Sequence, residues 1–181
     1  MSWTWQNSKQ RGHSRKGVVT LEMILVVPIF IIAILPIVQF GILLSNEEFV
    51  EMAARSGTQV ASRAGTFSET NNAPVPTVVL NAVAVEMSKI GVSDYTVSME
   101  HNIHFAPSAT IGPVVVLKSV VGSGPTSVPA LSTVALSPNR TYVRVTVSAK
   151  TNNLTPNLLS SYGFDLSTRV SSETALRRYA L

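Results

Sequence analysis

The sequence predicts an α+β chain in which a long N-terminal transmembrane helix continues into an extracytoplasmic body with a small antiparallel sheet and one further helix. The first observation is an apolar run of 27 residues, from Val18 to Leu44, whose one charged residue is Glu22. About 20 apolar residues are enough to cross a bilayer. The second is a set of short segments beyond residue 90 that alternate apolar and polar residues, as half-buried antiparallel strands do.

The charge distribution gives the orientation. The chain has 181 residues, no cysteine and a net charge of +4. The whole excess lies before Val18, where four basic residues occur without an acid, and the remainder is neutral. A basic head before an apolar run keeps the N-terminus in the cytoplasm. We therefore expect a single-pass membrane protein with its N-terminus in the cytoplasm and an extracytoplasmic C-terminal domain.

The patterns divide the chain into four expected segments. Residues 1–17 form a basic cytoplasmic leader, 18–44 the transmembrane helix, 45–65 its extracytoplasmic continuation, and 66–181 the α+β domain. In the continuation, apolar residues recur every three or four positions, which predicts one buried face. Packing of this face against the same chain is favoured over a separate binding site. The face comprises Phe49, Met52, Ala53, Ser56, Val60 and Ala64.

The body is expected to contain a helix and several strands. Thr77–Ile90 predicts a helix with Thr77 as its N-cap, Gly91 beyond its end, and Val79, Val83, Met87 and Ile90 on its buried face. Its valine content leaves a strand as the alternative. The expected strands are 95–105, 114–121, 141–150 and 164–173, and a low-charge loop covers 122–139.

The start of the apolar run has a distinctive spacing. Arg15 and Lys16 precede Gly17, and Glu22 lies five residues after that glycine. A carboxylate inside a span is costly and usually functional, although one near the interface can also extend to water. Together, the basic residues, the glycine and the glutamate resemble the type IV prepilin processing site. This resemblance implies cleavage between Gly17 and Val18 by a membrane-embedded prepilin peptidase, with Arg15 and Lys16 recognised in the leader.

Cleavage would give Glu22 a partner. The new α-amine of Val18 would lie one helical turn from the Glu22 carboxylate, because residues four apart share a helix face. In a low-dielectric layer the two charges would stabilise each other, within one subunit or between neighbours in a filament. Glu22 is therefore the candidate assembly residue.

A second block extends the resemblance to the TadE-like family of tight-adherence pilus assembly proteins. It consists of an internal Leu35-Pro36 or Val27-Pro28, the pair Phe40-Gly41, and the segment from Ala53 to Gly57. The resemblance covers about residues 15–65. It implies a pseudopilin design and a helix-packing role for Phe40, Gly41, Ala53, Ala54, Arg55 and Gly57.

The implied function is that of a minor pseudopilin supporting pilus biogenesis, adhesion and biofilm formation. The implied partners are the prepilin peptidase, inner-membrane platform proteins, the major pilin, other minor pseudopilins and the lipid bilayer. One alternative is a pseudopilin of a type II secretion or type IV pilus machine. A different alternative is an uncleaved, membrane-anchored extracytoplasmic binding module.

The remaining motifs predict neither catalysis nor a cofactor. His101 and His104, beside Glu100, have some metal-ligand character, but residues three apart on a strand point to opposite faces. The sequence contains no phosphate-binding glycine loop and no nucleophile elbow. The neutral body lacks the basic face that nucleic-acid binding requires. We therefore expect no enzyme activity, no cofactor, no metal and no nucleic-acid partner.

Overall fold

A computed structural model describes residues 16–64, 67, 70–103, 114–127 and 141–178. Its helices are α1 (Lys16–Ala61), α2 (Thr77–Lys89) and α3 (Thr151–Leu154), and its strands are β1 (Tyr95–Ile103), β2 (Val115–Val121), β3 (Tyr142–Lys150) and β4 (Val170–Arg178). The strands form one antiparallel sheet in the order β2-β1-β3-β4. The predicted α+β architecture is confirmed.

The long helix α1 has 46 residues and is therefore about 70 Å in length. It continues through Pro28 and Pro36, and residues 62 and 63 form a turn after its end at Ala61. The prediction extended the helix to about Gly65, which lies outside the described residues.

The sheet packs against the C-terminal half of α1, which we call its upper half, the N-terminal half being the lower. Strand β4 runs in the same direction as the helix. The Ser171 hydroxyl donates to Glu47 Oε1 at 3.0 Å, and the Thr58 hydroxyl donates to the Ala175 carbonyl at 3.2 Å. The start of β4 is therefore nearest the N-terminal half of α1. We call this end of the sheet its lower end, and the antiparallel order places Val121 and Lys150 there as well.

The core lies between the apolar face of the sheet and the two long helices. Val79, Val83 and Met87 on α2 are buried against it, as predicted. Ile90 is partly buried and follows the last helical residue. The N-cap position belongs to Pro76 rather than the predicted Thr77, and no side chain caps the helix. Gly91 has a positive φ of 68°, the left-handed conformation that glycine adopts readily.

The central strands β1 and β3 are buried on both faces, so the prediction that they are half-buried is wrong. Thr96, Ser98, Thr146 and Ser148 lie on the polar face and are buried. Three of these hydroxyls are satisfied locally: Thr146 and Ser148 bond to hydroxyls on β4, and Thr96 donates to the Pro125 carbonyl at 2.6 Å. Hydrogen bonding lets these polar side chains occupy positions away from water.

The fourth strand is also displaced from its prediction. Phe164 to Arg169 is not strand, because the Asp165 carboxylate accepts hydrogen bonds from the Ser167 backbone N–H at 2.8 Å and hydroxyl at 2.8 Å. Such local bonds compete with a strand ladder. Gly163, with a φ of 86°, ends the preceding 3-10 turn (Ser160–Tyr162). The strand begins instead at Val170 and continues to Arg178.

Candidate functional site

The residues predicted to govern processing lie at the very start of α1. Gly17 and Val18 are helical, as is Lys16, while Arg15 lies outside the described residues. Glu22 is on the first turns of the same helix and is exposed. Because α1 is continuous from Lys16, the helix would place the Val18 nitrogen and Glu22 on one face after cleavage.

The lower half of α1 projects away from the rest of the described chain. Apart from the half-buried Leu35, its large apolar side chains are exposed from Val19 to Val38, and Leu25 and Phe30 are 69% and 65% exposed. None of its most apolar 18-residue window is buried. A helix that is apolar all round and uncovered by its own protein requires another apolar environment, namely lipid or neighbouring helices.

Between Val19 and Ala61, the first buried residue of α1 is Gln39, inside the apolar run. The Gln39 side chain is only 1% exposed, and its backbone carbonyl accepts a hydrogen bond from the Thr155 hydroxyl at 3.2 Å. About two turns further on, Asn46 donates to the Leu154 carbonyl. The residues that connect β3 to β4 therefore hold the lower part of the body against α1, from Gln39 towards the C-terminal end of the helix.

The Gln39 amide is unusual because neither its nitrogen nor its oxygen has a hydrogen-bond partner among the described residues. Leaving a buried polar group unpaired costs about 1–3 kcal/mol. A glutamine within the apolar run was the sequence signal for this position, but its burial depends on Thr155, which is 116 residues away. Sequence reasoning did not select either residue.

The upper half of α1 packs through small side chains. Ala53, Ala54 and Gly57 are buried. A Cβ atom at Gly57 would lie 2.9 Å from Val83 Cγ2 and 3.2 Å from Val145 Cγ1. Gly57 therefore allows α2 and β3 to approach α1 closely at the same point.

The other predicted helix-packing residues point away from this interface. Phe40 is 53% exposed, Gly41 has no atom within 4 Å of the Cβ position, and the Arg55 side chain is 70% exposed and pairs with Glu51. All three residues are exposed, so none belongs to the buried core of the described chain. Their role in packing against another helix stays a prediction.

The predicted buried face of the 45–65 segment is wrong by about one residue of helix rotation. The buried positions are Val50, Ala53, Ala54, Gly57, Thr58, Ala61 and Ser62, so only Ala53 is shared with the predicted face. Met52 is 47% exposed, and Phe49 is partly exposed. The reason is that α2 and β3 approach closely, and small side chains fit such an approach better than large ones.

Three carboxylates cluster where α1 meets the lower half of β4. Burial, with repulsion from Glu51 and Glu47, raises the pKa of Glu173 above its ordinary value. The Arg55 guanidinium binds Glu51 from the outer side of the helix, and Ser171 donates to Glu47. Glu173 is therefore the member of this cluster whose surroundings favour its protonated form.

The histidine pair considered in the sequence is not assembled in the described part of the chain. His101 is buried, and its ring centroid lies 5.4 Å from that of Phe67, while His104 lies outside the described residues. Glu100 pairs with Arg144 Nε at 3.2 Å, and burial raises the Glu100 pKa while Arg144 opposes the rise. Within the described ranges no group of three potential ligands could hold a metal ion.

This arrangement defines a class of protein: an apolar helix long enough to span a membrane, bearing a small α+β body on its C-terminal half. Within the described residues, one helix, Val19–Ala61, meets the length and composition of a span. Residues 17–59 match the family model of TadE-like proteins, which confirms the resemblance and indicates a component associated with tight-adherence pili. The match covers most of α1 and stops before the sheet. Searches of curated proteins and of solved structures give no match.

Proposed function

We propose that the chain is a minor pseudopilin of a bacterial tight-adherence pilus, a structural component that supports pilus biogenesis and thereby adhesion and biofilm formation. The observation that carries the proposal is the division of α1 into two halves. The lower half is apolar and uncovered, and the upper half is fixed to the body. Lipid covers the lower half before assembly, and neighbouring helices cover it in a filament. The family match extends over this same helix.

Maturation occurs by prepilin peptidase cleavage between Gly17 and Val18. Arg15 and Lys16 hold the leader in the cytoplasm and contribute to its recognition. The new α-amine of Val18 and the Glu22 carboxylate then stabilise each other, because opposite charges attract strongly where water is scarce. In a filament the same carboxylate receives the amine of a neighbouring subunit.

The protein acts from the inner membrane with its N-terminus in the cytoplasm and its body in the periplasm. Its partners are the peptidase, the inner-membrane platform proteins, the major pilin and other minor pseudopilins. It requires no cofactor and performs no catalysis. Its contribution is the shape of the body and the helix that joins it to the assembly.

The experiment compares two carboxylates on α1 in cells whose own copy of the gene is deleted. Glu22→Ala should leave the amount of cleaved chain unchanged and reduce surface pili to the level of the deletion. Glu48→Ala, the matched control, removes the same charge at an exposed position beside the body and should restore normal pilus output. Pili are measured by electron microscopy and by quantifying sheared major pilin.

Normal pilus output from Glu22→Ala would contradict the assembly role of that residue. If the deletion leaves tight-adherence pili intact but abolishes secretion or a different pilus, the chain is a pseudopilin of another machine. If the wild-type chain is full-length in cells with active peptidase, the protein is instead an uncleaved anchored module.

A further inference from the structure

The connection between β3 and β4 extends below the sheet along α1. We call residues 151–169 the β3–β4 lobe; it contains α3 and the 3-10 turn Ser160–Tyr162. At the lower end of the sheet, Ser171 contacts Glu47, whereas Thr155 in the lobe contacts Gln39. Eight helical residues separate these contacts, so the lobe reaches about 12 Å below the sheet along the helix axis.

The lobe meets α1 at the height where a span starting at Val19 would leave the hydrocarbon layer. Residues 19–38 rise about 30 Å as a helix, which equals the thickness of the hydrocarbon core. A span reaching Leu44 would be about 40 Å long and would place Thr155 and its contact with Gln39 in hydrocarbon. The irregular backbone of the lobe would then lie at a depth where exposed loops are not tolerated.

The lobe exposes one large apolar and two aromatic side chains among smaller polar ones. Leu158, Tyr162 and Phe164 are 37%, 49% and 65% exposed. Hydrogen bonds from the backbone N–H groups of Tyr162 and Phe164 to the Leu159 carbonyl hold this surface in a compact turn. Leu159 itself is buried, so the turn is fixed to the body by its apolar side chain.

The lobe contains few charged residues, and its one acidic residue accepts hydrogen bonds from within the lobe. Asp165 and Arg169 are its charged residues. The Asp165 carboxylate accepts hydrogen bonds from Ser167 and, at 2.9 Å, from the Asn157 amide, and these bonds lower its pKa. The lobe itself therefore supplies hydrogen-bond donors to this carboxylate.

We propose that the β3–β4 lobe lies in the headgroup layer of the outer leaflet of the membrane, with Phe164 and Tyr162 directed into the lipid. This inference rests on the membrane span of the proposed function. Aromatic side chains favour this layer because their rings are apolar while a phenol hydroxyl can remain hydrated. The lobe ends the span near Val38 and fixes the height of the body above the bilayer, since Thr155 and Leu154 tie it to α1.

The test measures the depth of single tryptophans in full-length protein reconstituted into phosphatidylcholine vesicles. Trp3 and Trp5 are first replaced by phenylalanine, which leaves a background free of tryptophan. One tryptophan is then introduced at Phe164, at Phe30 in the middle of the span, or at Val78 in α2. Val78 is 54% exposed, and its neighbour Val79 packs beside Gly57, about 27 Å above Gln39 along α1.

Quenching is compared between lipids brominated near the glycerol end and lipids brominated near the methyl end of the acyl chain. Phe164→Trp should be quenched several-fold more by the shallow bromines than Val78→Trp, and Phe30→Trp should be quenched more by the deep bromines. Far-UV circular dichroism confirms that each variant is folded.

Three results would overturn the proposal in distinguishable ways. If Phe30→Trp is quenched but Phe164→Trp behaves like Val78→Trp, the span stands and the lobe lies in water. A blue shift of Phe164→Trp that depends on protein concentration and not on bromine would assign this surface to a second copy of the chain. If Phe30→Trp is not quenched, the span fails and the inference fails with it.

Discussion

Gly57 and Gly41 are two glycines of one helix with opposite surroundings, and exchanging each for alanine isolates the steric cost of the α1–α2–β3 contact. At Gly57 an added Cβ meets Val83 Cγ2 at 2.9 Å and Val145 Cγ1 at 3.2 Å, while at Gly41 it meets nothing within 4 Å. Carbon atoms prefer separations of about 3.5–4.0 Å, so the valines must move.

The change in the free energy of unfolding on each substitution has two opposing contributions. Replacing glycine by alanine in a helix stabilises it by about 0.8–1.0 kcal/mol, and this gain is common to both sites. Inserting a methyl group into a close-packed contact costs about 1–3 kcal/mol. We therefore expect Gly41→Ala to be stabilising and Gly57→Ala to be less stable than Gly41→Ala by about 1–3 kcal/mol, since the helical contribution cancels in the comparison.

A double-mutant cycle assigns the cost to a named atom pair. Val83→Ala removes the methyl group nearest to the new Cβ at Gly57. Contacting residues couple by about 0.5–3 kcal/mol, so Val83→Ala should cost less in the Gly57→Ala background than alone. Urea unfolding of the full chain in detergent, followed by far-UV circular dichroism, measures all four forms. Equal stability of Gly57→Ala and Gly41→Ala, or strictly additive effects, would refute the close-approach argument.

Further substitutions test the buried polar groups. Gln39→Met should raise the free energy of unfolding by about 1–3 kcal/mol, because it removes a buried amide without a partner in the described structure. Glu173→Gln should raise Tm at neutral pH. Because the pKa of Glu173 is raised in the folded chain, its protonated carboxyl stabilises the fold in acid, and this stabilisation is lost as the pH rises through that pKa. Arg144→Met should cost about 3 kcal/mol at neutral pH by leaving the half-buried Glu100 unpaired, and less in acid, where Glu100 is protonated.

Each of these variants has a matched control on the same protein. Gln59→Met changes an exposed glutamine on α1 and should leave Tm unchanged, as Glu48→Gln should leave the pH dependence unchanged. Lys89→Met breaks the more exposed pair with Glu86 and should cost at most about 0.5 kcal/mol. A Gln39→Met or Arg144→Met variant as stable as its control would contradict the corresponding burial argument. If Glu173→Gln leaves the pH dependence of Tm unchanged, the Glu173 carboxylate is not the source of that dependence.

Hydrophobic periodicity predicted the helices and strands that have a regular local pattern of apolar residues. The apolar run from Val18 and the alternating residues of β1 and β3 carried enough information to place α1 and the sheet centre. The buried face of α1 was misplaced because the prediction favoured large side chains such as Phe49 and Met52. The chain instead buries Ala53, Ala54 and Gly57, and that choice depends on how near α2 and β3 approach.

The β3–β4 lobe was beyond prediction for a different reason. Its shape depends on the hydrogen bonds that Asp165 accepts within a few residues, which replaced the strand expected from Phe164. Its position depends on a bond between Thr155 and Gln39, and nothing in local spacing encodes a contact across 116 residues. The processing residues Gly17, Val18 and Glu22 rest on their spacing and their family resemblance, and their roles stay predictions.

The intact mass of the membrane-extracted protein tests whether this chain is a prepilin-type subunit. In cells with active prepilin peptidase, we expect a chain that begins at Val18 and has lost both tryptophans, Trp3 and Trp5, with the leader. Replacing Gly17 by a bulky residue such as leucine should restore the full-length mass. A wild-type chain of full length in cells that process their other prepilins would contradict the account.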